Sequence, residues 1–158
     1  MTITDPTLLA ILKADILADP AFTNLFAEQI ASAYNVTASP EFVVWKTAVD
    51  PNEIMRNGMD WARVDNLSVG KARIWDWMTR LGSFNAAKVN VRAGIDAAWV
   101  GTAADLAVRA QVYTHCKRKA NILEKLFATG TGSDASPATM RVEGGLSYQE
   151  VQAARDLP

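Results

Sequence analysis

The longest helical pattern of apolar and polar positions runs from Thr102 to Ala128 and contains no proline and no internal glycine. Thr102 and Asp105 have the spacing of a capping box at its start, and Gly130 follows its end. The pattern predicts one long central helix over 102–128. Apolar or small residues recur in it every three or four positions, so we expect them to share the core-facing side: Leu106, Ala110, Tyr113, Cys116, Ala120, Leu123 and Phe127.

Two Asp-Pro pairs begin two further apolar stripes near the N-terminus. Aspartate is a good N-cap and proline is favoured at the first helical position, so these pairs predict helices over about 6–18 and 20–34. The predicted core-facing residues of the two helices are Leu8, Leu9, Leu12 and Ile16, followed by Phe22, Leu25, Phe26, Ile30 and Tyr34.

The segment 41–46 is rich in β-branched and aromatic residues and is the best candidate strand in the chain. If extended, it must pair with another copy, with another protein or with the segment 139–143; an irregular buried segment is the alternative. Beyond it, helices are predicted at 51–57, 68–81 and 88–100, where proline, serine and glycine provide start and stop signals.

The C-terminal part begins with a Gly, Ser and Thr-rich stretch that predicts an exposed, flexible loop. Ser147 and Glu150 form a second capping-box pattern and predict a short helix over 148–155. This helix has few apolar positions, so it is interpreted as a docking element. The expected fold is mainly α: a small helical bundle around one long central helix (1–128), with a flexible loop and short C-terminal docking helix (129–158).

Charge is distributed unevenly over the 158 residues, although the formal net charge is only −1. The net charge is −3 over residues 1–40, +1 over 41–101, +3 over 102–128 and −2 over 129–158. A basic central segment between acidic ends indicates head-to-tail electrostatic complementarity, either within the chain or between copies.

The sequence contains no pattern typical of catalysis or of metal binding. The chain has one histidine and one cysteine, the adjacent His115 and Cys116, whereas a structural zinc site typically has four ligands. The glycine-rich stretch at 130–133 lacks the Lys-Ser/Thr of a phosphate-binding loop. We therefore predict a non-enzymatic protein with no catalytic residue, no cofactor and no metal site.

Two groups of residues are candidates for contact with partners. Trp75 and Trp77 lie two apart in a predicted helix and cannot face one core together, so one of them is expected at an interface. Tyr148 and Val151 are the corresponding candidates on the C-terminal helix. The basic residues that are candidates for contact with DNA or a neighbouring subunit are Arg109, Lys117, Arg118 and Lys119.

Three blocks of sequence resemble a family of small tailed-bacteriophage proteins encoded near the capsid and tail genes. They are FVVWKTAVDPNEI at 42–54, GMDWARVDNLSVGKARIWDWM at 58–78 and LFATGTGSDASPATMRVEGGLSYQEVQAAR at 126–155. The last block is the most specific, through EKLFATGTG, SPATM and LSYQEVQ.

The resemblance implies a role in the virion or its assembly, with a ring-forming head–tail adaptor (neck) subunit as the favoured version. The implied partners are other copies in a ring, for which a dodecamer is one candidate arrangement, together with portal and tail or neck proteins. Nonspecific contact with packaged DNA is a further expectation, and no membrane contact is expected. The implied location is the virion, assembled in the host cytoplasm. The alternatives are a tail or minor capsid component and a small phage DNA-binding or regulatory protein.

Overall fold

The computed structural model describes residues 3–80 and 82–158, and these are mainly helical, which confirms the predicted fold class. The chain forms two compact units: unit 1 comprises Met1–Val44 and Lys119–Pro158, and unit 2 comprises Trp45–Arg118. The predicted boundary at residue 128 does not coincide with this division, because both ends of the chain belong to unit 1.

The helices and strands are numbered in chain order. The helices are α1 (Pro6–Ala18), α2 (Ala27–Tyr34), α3 (Pro51–Arg56), α4 (Trp61–Asp65), α5 (Val69–Arg80), α6 (Val89–Ala98), α7 (Ala103–His115), α8 (Ile122–Leu126) and α9 (Tyr148–Arg155), with a 3-10 helix at Pro20–Phe22. The strands are β1 (Val43–Trp45), β2 (Lys117–Lys119), β3 (Ala128–Thr129) and β4 (Thr139–Met140). The helix predicted over 68–81 ends at Arg80 in the structure, and Leu81 lies outside the described residues.

The core of unit 1 is built from α1, α2, α8 and α9, with α9 packed against both α1 and α2. The predicted apolar face of α1 is confirmed, because all four of its residues are buried. Burial of such side chains contributes about 1.5–3 kcal/mol each relative to exposure. The fully buried large side chains of this core are Leu12, Ile30, Tyr34, Leu123, Val142 and Val151.

The continuous helix predicted over 20–34 is wrong. Asp19 caps a 3-10 turn that ends at Phe22, and α2 begins only after Phe26. The side chain of Gln29 accepts the Phe26 N–H, which is a local cap that starts a new helix and not a continuation of the first. Phe26 was predicted to face the core but is not a core residue, because its side chain is 75% exposed.

The interpretation of α9 as a loosely tethered docking helix is wrong. Val151 and Ala154 are fully buried in the unit 1 core. The Asn35 amide holds the approach to the helix, because it donates to the Leu146 carbonyl at 2.9 Å and accepts the Leu146 N–H at 2.7 Å. The buried Glu150 carboxylate accepts hydrogen bonds from the Ser147 N–H and the Ile3 N–H. These contacts make α9 a core element of unit 1.

The strand predicted at 41–46 is present as β1, and its neighbours lie within the chain. In unit 1, the Ala138 N–H donates to the Val43 carbonyl at 2.9 Å, and the Ala120 N–H donates to the Phe42 carbonyl at 2.8 Å. The predicted partner segment 139–143 instead contributes β4, which pairs antiparallel with β3. The backbone groups of β1 therefore need no other copy or other protein.

The single helix predicted over 102–128 is also wrong, because α7 ends at His115 and α8 begins at Ile122. Between them the chain is extended and its backbone bonds to other segments: the Cys116 carbonyl accepts the Lys46 N–H at 2.8 Å. Asn121 then caps α8 in a capping box with Glu124. Apolar or small residues recur every three or four positions on both sides of the break, so the periodicity of apolar positions alone did not reveal it.

The core of unit 2 is formed by residues of α3, α5, α6 and α7 around the fully buried Trp99. The predicted buried face of α7 is wrong in register, because Val108 and Val112 are buried while Leu106 is 42% exposed. The fully buried large side chains of this core are Val49, Ile54, Ile95, Trp99 and Val112.

Candidate interaction surfaces

Trp75 and Trp77 lie on opposite sides of α5, as the spacing of two residues predicts. Trp75 is 4% exposed and packs edge-on against Trp99, with ring centroids 5.4 Å apart and an interplanar angle of 78°. Trp77 is 70% exposed. Trp75 is therefore a core residue of unit 2, and Trp77 is the one of the pair that is available to a partner.

An apolar groove of about 520 Å³ lies on unit 2. Residues of α4, α5 and the neighbouring segments line it, including Met55, Val64, Leu67, Ala72, Arg73 and Trp75. We call it the α4–α5 groove. Its lining is mainly apolar, and a volume of this size falls in the range of sites that accept a large side chain or a small ligand.

Large exposed apolar side chains flank the α4–α5 groove. Trp61 is 59% exposed and lies three residues before the groove residue Val64, which places the two on neighbouring positions of α4. Val69, at the start of α5, lines the groove and is 71% exposed. Scattered exposed apolar residues are ordinary, but an exposed tryptophan next to an apolar groove is typical of an interaction surface.

One cation at this surface has no partner in the part of the chain that the structure describes. Arg63 bonds to Asp105, Arg80 pairs with Asp76 at 2.9 Å, and Lys71 donates to the Val100 carbonyl at 2.7 Å. Arg73 is exposed, lines the groove, and forms no ion pair or hydrogen bond with the described residues. Trp77 follows Arg73 by four positions, so the two are neighbours on the surface of α5.

Unit 1 also exposes large apolar side chains, of which Phe26 at 75% and Leu17 at 71% are the most accessible. Glu28, two residues after Phe26 in the first turn of α2, is exposed and forms no ion pair within the described residues. Tyr148, a predicted interface residue, is 42% exposed on α9. Val151 is fully buried, so its predicted place at an interface is wrong.

The two units carry opposite net charge. Unit 1 has five Lys and Arg against ten Asp and Glu, a formal net charge of −5. Unit 2 has eleven Lys and Arg against seven Asp and Glu, a formal net charge of +4. The uneven charge seen along the sequence therefore separates into the two folded units, with the same totals of −5 and +4 as the chain ends and the central segments.

The four basic candidates for DNA or subunit contact do not share one helix. Arg109 lies on α7 and its guanidinium is 3.5 Å from the Asp96 carboxylate. Lys117, Arg118 and Lys119 form β2, and the Lys119 ammonium lies 2.6 Å from the Glu41 carboxylate. These four residues therefore do not form one cationic surface on a central helix, because Lys117–Lys119 is extended, and Arg109 and Lys119 are each paired with an acidic residue.

The chemistry of the single cysteine is that of a buried structural residue. Burial raises the pKa of the Cys116 thiol to about 12, and nearby Lys46 and Lys117 oppose this only in part. A thiol with a raised pKa has little thiolate at neutral pH and is a poor nucleophile. The adjacent His115 lies in the last turn of α7, with Nε2 3.1 Å from Nε2 of Gln111.

Within residues 3–80 and 82–158, no group of three or more His, Cys, Asp or Glu side chains is placed to hold a metal ion. None of the helices that the structure describes combines the length and apolarity needed to cross a bilayer.

Comparison with known proteins gave no match: no protein-family model, no curated protein and no solved structure is similar to this chain.

The exposed Phe26 was missed in the sequence because it fitted an apolar stripe. The signal that identifies it is Gln29, which caps the chain at Phe26 and ends the preceding turn. Arg73 was missed because its lack of a partner depends on where α4 and α7 pack, which the sequence does not give.

Proposed function

We propose that this protein is a structural, non-enzymatic subunit of a tailed bacteriophage that forms a ring as a head–tail adaptor between portal and tail. The observation that carries the proposal is the exposed apolar surface of unit 2, where Trp61, Val69 and Trp77 are each more than half exposed. Large exposed apolar side chains next to an apolar groove are typical of a surface that a partner covers.

The sequence blocks at 42–54, 58–78 and 126–155 support the same proposal. The middle block contains Trp61, Val69 and Trp77, so the phage-like sequence coincides with the exposed apolar surface. The opposite net charges of units 1 and 2 are a second property that suits repeated contact between copies.

The structure changes one part of this proposal. The C-terminal helix was expected to reach the portal or a neighbouring subunit, but α9 is packed into unit 1. The proposed contacts are therefore made by surfaces of the folded units. Among the interface residues that the sequence predicted, Trp77 is the leading candidate for such a contact.

The direct test is to delete the gene from the phage that encodes it and examine the particles by negative-stain microscopy. An adaptor predicts that DNA-filled heads and completed tails accumulate separately and that the wild-type gene restores joined particles. Absent tails would favour the alternative of a tail component, and fragile or aberrant heads would favour a minor capsid component. Normal tailed particles would contradict a role in the virion.

A DNA-binding or regulatory role is the second candidate, and the net charge of +4 on unit 2 favours it. Phosphate contacts make such binding strongly dependent on salt. Fluorescence polarisation of labelled duplex DNA, at about 50 and 200 mM salt, tests it: affinity that falls by about tenfold or more supports this role. No binding at the lower salt concentration would remove it.

A further inference from the structure

We infer that Phe26 of one copy inserts into the α4–α5 groove of a second copy, while Glu28, two residues later in the chain, pairs with Arg73 of that groove. The inference deepens the proposed function, on which it rests, by naming the contact through which copies associate. The contact joins unit 1 of one copy to unit 2 of the next, and we take it to be heterologous, so that each copy uses its Phe26 and its groove with two different neighbours.

The first argument is the match between the two surfaces. The groove is mainly apolar, has a volume of about 520 Å³ and contains Arg73. Phe26 is 75% exposed, the highest exposed fraction among the large apolar side chains described, and lies two residues from Glu28. Phe26 and Glu28 thus offer an exposed aromatic ring and, two residues later, an exposed carboxylate. The groove offers apolar walls together with Arg73, and the Asp76 carboxylate that also lines it is paired with Arg80.

The second argument is that both charges lack a partner within the described part of the chain. Neither the Arg73 guanidinium nor the Glu28 carboxylate forms an ion pair there, whereas Arg63 and Arg80 are each paired with an aspartate. A charge pair that is partly desolvated at an interface contributes orientation and specificity in addition to affinity.

The net charges of the two units also favour one arrangement of two copies over others. Two copies of unit 2 repel each other with +4 against +4, and two copies of unit 1 repel with −5 against −5. Unit 1 against unit 2 is attractive. A symmetric dimer through either unit alone is therefore disfavoured. A unit 1–unit 2 contact made with two different neighbours repeats into a closed ring or an open filament, whereas two copies that exchange both contacts close into a dimer.

The experiment uses sedimentation velocity on the full-length protein over a range of concentrations. Phe26→Ser removes the aromatic ring and leaves a good N-cap residue for α2. Arg73→Glu reverses the charge in the groove, and Lys88→Glu is the matched control. Lys88 is an exposed cation of unit 2 outside the groove, so its substitution makes the same change in net charge.

The wild type and Lys88→Glu are expected to associate, while Phe26→Ser and Arg73→Glu are each expected to weaken association by about tenfold or more. The double variant Glu28→Lys with Arg73→Glu is expected to recover it. Raising the salt concentration from about 0.05 to 0.5 M is expected to weaken wild-type association, because exposed charges are screened.

Mixing the two deficient variants is the sharpest step. Phe26→Ser retains an intact groove and Arg73→Glu retains an intact Phe26, so their mixture has one working contact and is expected to form a 1:1 dimer that grows no further. A wild type that stays monomeric would overturn the inference, as would deficient variants that associate like the wild type or a mixture that gives no dimer.

These outcomes are separable from failure of the proposed function. A monomeric wild type together with separated heads and tails in the gene deletion would overturn this contact and leave the adaptor function standing. Head-to-tail association together with normal particles in the deletion would support this contact and overturn the adaptor function.

Discussion

The guanidinium of Arg63 on α4 reaches the carboxylate of Asp105 in the first turn of α7, with Nε 3.2 Å from Oδ1. The same guanidinium donates to the Thr102 hydroxyl at 3.2 Å, and the Thr102 N–H donates to Asp105 Oδ2 at 3.1 Å. These hydrogen bonds, chiefly the one from Arg63, lower the pKa of Asp105 to about 2. One arginine thus connects α4 to the capping box of α7.

This arrangement predicts how the stability of unit 2 depends on pH. A carboxyl whose pKa is lowered on folding stabilises the fold above its ordinary pKa, and the stabilisation is lost as the pH falls towards the folded value of about 2. We expect the free energy of unfolding of unit 2 to decrease between about pH 5 and pH 2, and Asp105→Asn to remove part of that dependence.

The measurement is urea unfolding followed by tryptophan fluorescence, because all five tryptophans lie in unit 2. Asp65→Asn is the control, since Asp65 is exposed on α4 and its side chain has no hydrogen bond or ion pair within the described residues. If Asp105→Asn and Asp65→Asn changed the pH dependence equally, the linkage to Arg63 would be refuted.

Val151 on α9 is expected to be necessary for unit 1 to fold, because it is fully buried between core residues. Val151→Ala removes two buried carbon atoms and is expected to cost about 2 kcal/mol, and Val151→Asp, which buries an unpaired charge, is expected to unfold unit 1. Far-UV circular dichroism during thermal unfolding measures both effects. Tyr148→Ala, on the exposed part of the same helix, is expected to change stability by about 0.5 kcal/mol or less.

Trp75 and Trp77 are expected to respond in opposite ways to truncation. Trp75→Ala empties part of the unit 2 core and is expected to cost about 3–5 kcal/mol in urea unfolding. Trp77→Ala is expected to leave the unfolding free energy within about 0.5 kcal/mol and to weaken association between copies. Association that is unchanged in a folded Trp77→Ala protein would remove Trp77 from the interface.

Gly132 has a φ of +67°, and a Cβ at this position would overlap the ring of Phe42. Gly132→Ala is therefore expected to destabilise unit 1 through both the backbone cost, about 1–2 kcal/mol, and the steric conflict. In a Phe42→Ala background the ring is absent, and only the backbone cost is expected to remain. Equal effects of Gly132→Ala in both backgrounds, measured by thermal unfolding, would show that the ring is not in the way.

The sequence predicted the elements that are set by local signals. Asp5-Pro6 and Asp50-Pro51 begin α1 and α3, and the capping box at Ser147 begins α9, each at the expected residue. In each of these elements, the side chain of the N-cap residue accepts a free backbone N–H of the first turn, so the start of the helix depends on neighbouring residues alone.

What the sequence did not give depends on contacts between distant residues. The chain is extended after Cys116 because the Cys116 carbonyl accepts the N–H of Lys46, which lies some seventy positions earlier in the chain. Asn121 then starts a new helix. The role of α9 likewise depends on Asn35 and on the packing against α1 and α2. Local propensity carries no information about these partners.

The candidate interaction surface was predicted only in part, because it too depends on residues that are distant from one another in the sequence. The two-residue spacing of Trp75 and Trp77 required one of them to face away from the core, and the structure identifies Trp77. The groove, the unpartnered Arg73 and the exposed Phe26 arise only when the chain is folded, because each is defined by residues from different elements.

The most direct test of the proposed structural role is the protein composition of particles purified by density-gradient centrifugation from the phage that, on the proposed function, encodes this chain. Quantitative mass spectrometry is expected to find the protein in the particles, in many copies and at a fixed ratio to the portal subunit. If the protein is abundant in the infected cell but absent from the purified particles, it is not a virion component, and the proposed adaptor role is contradicted.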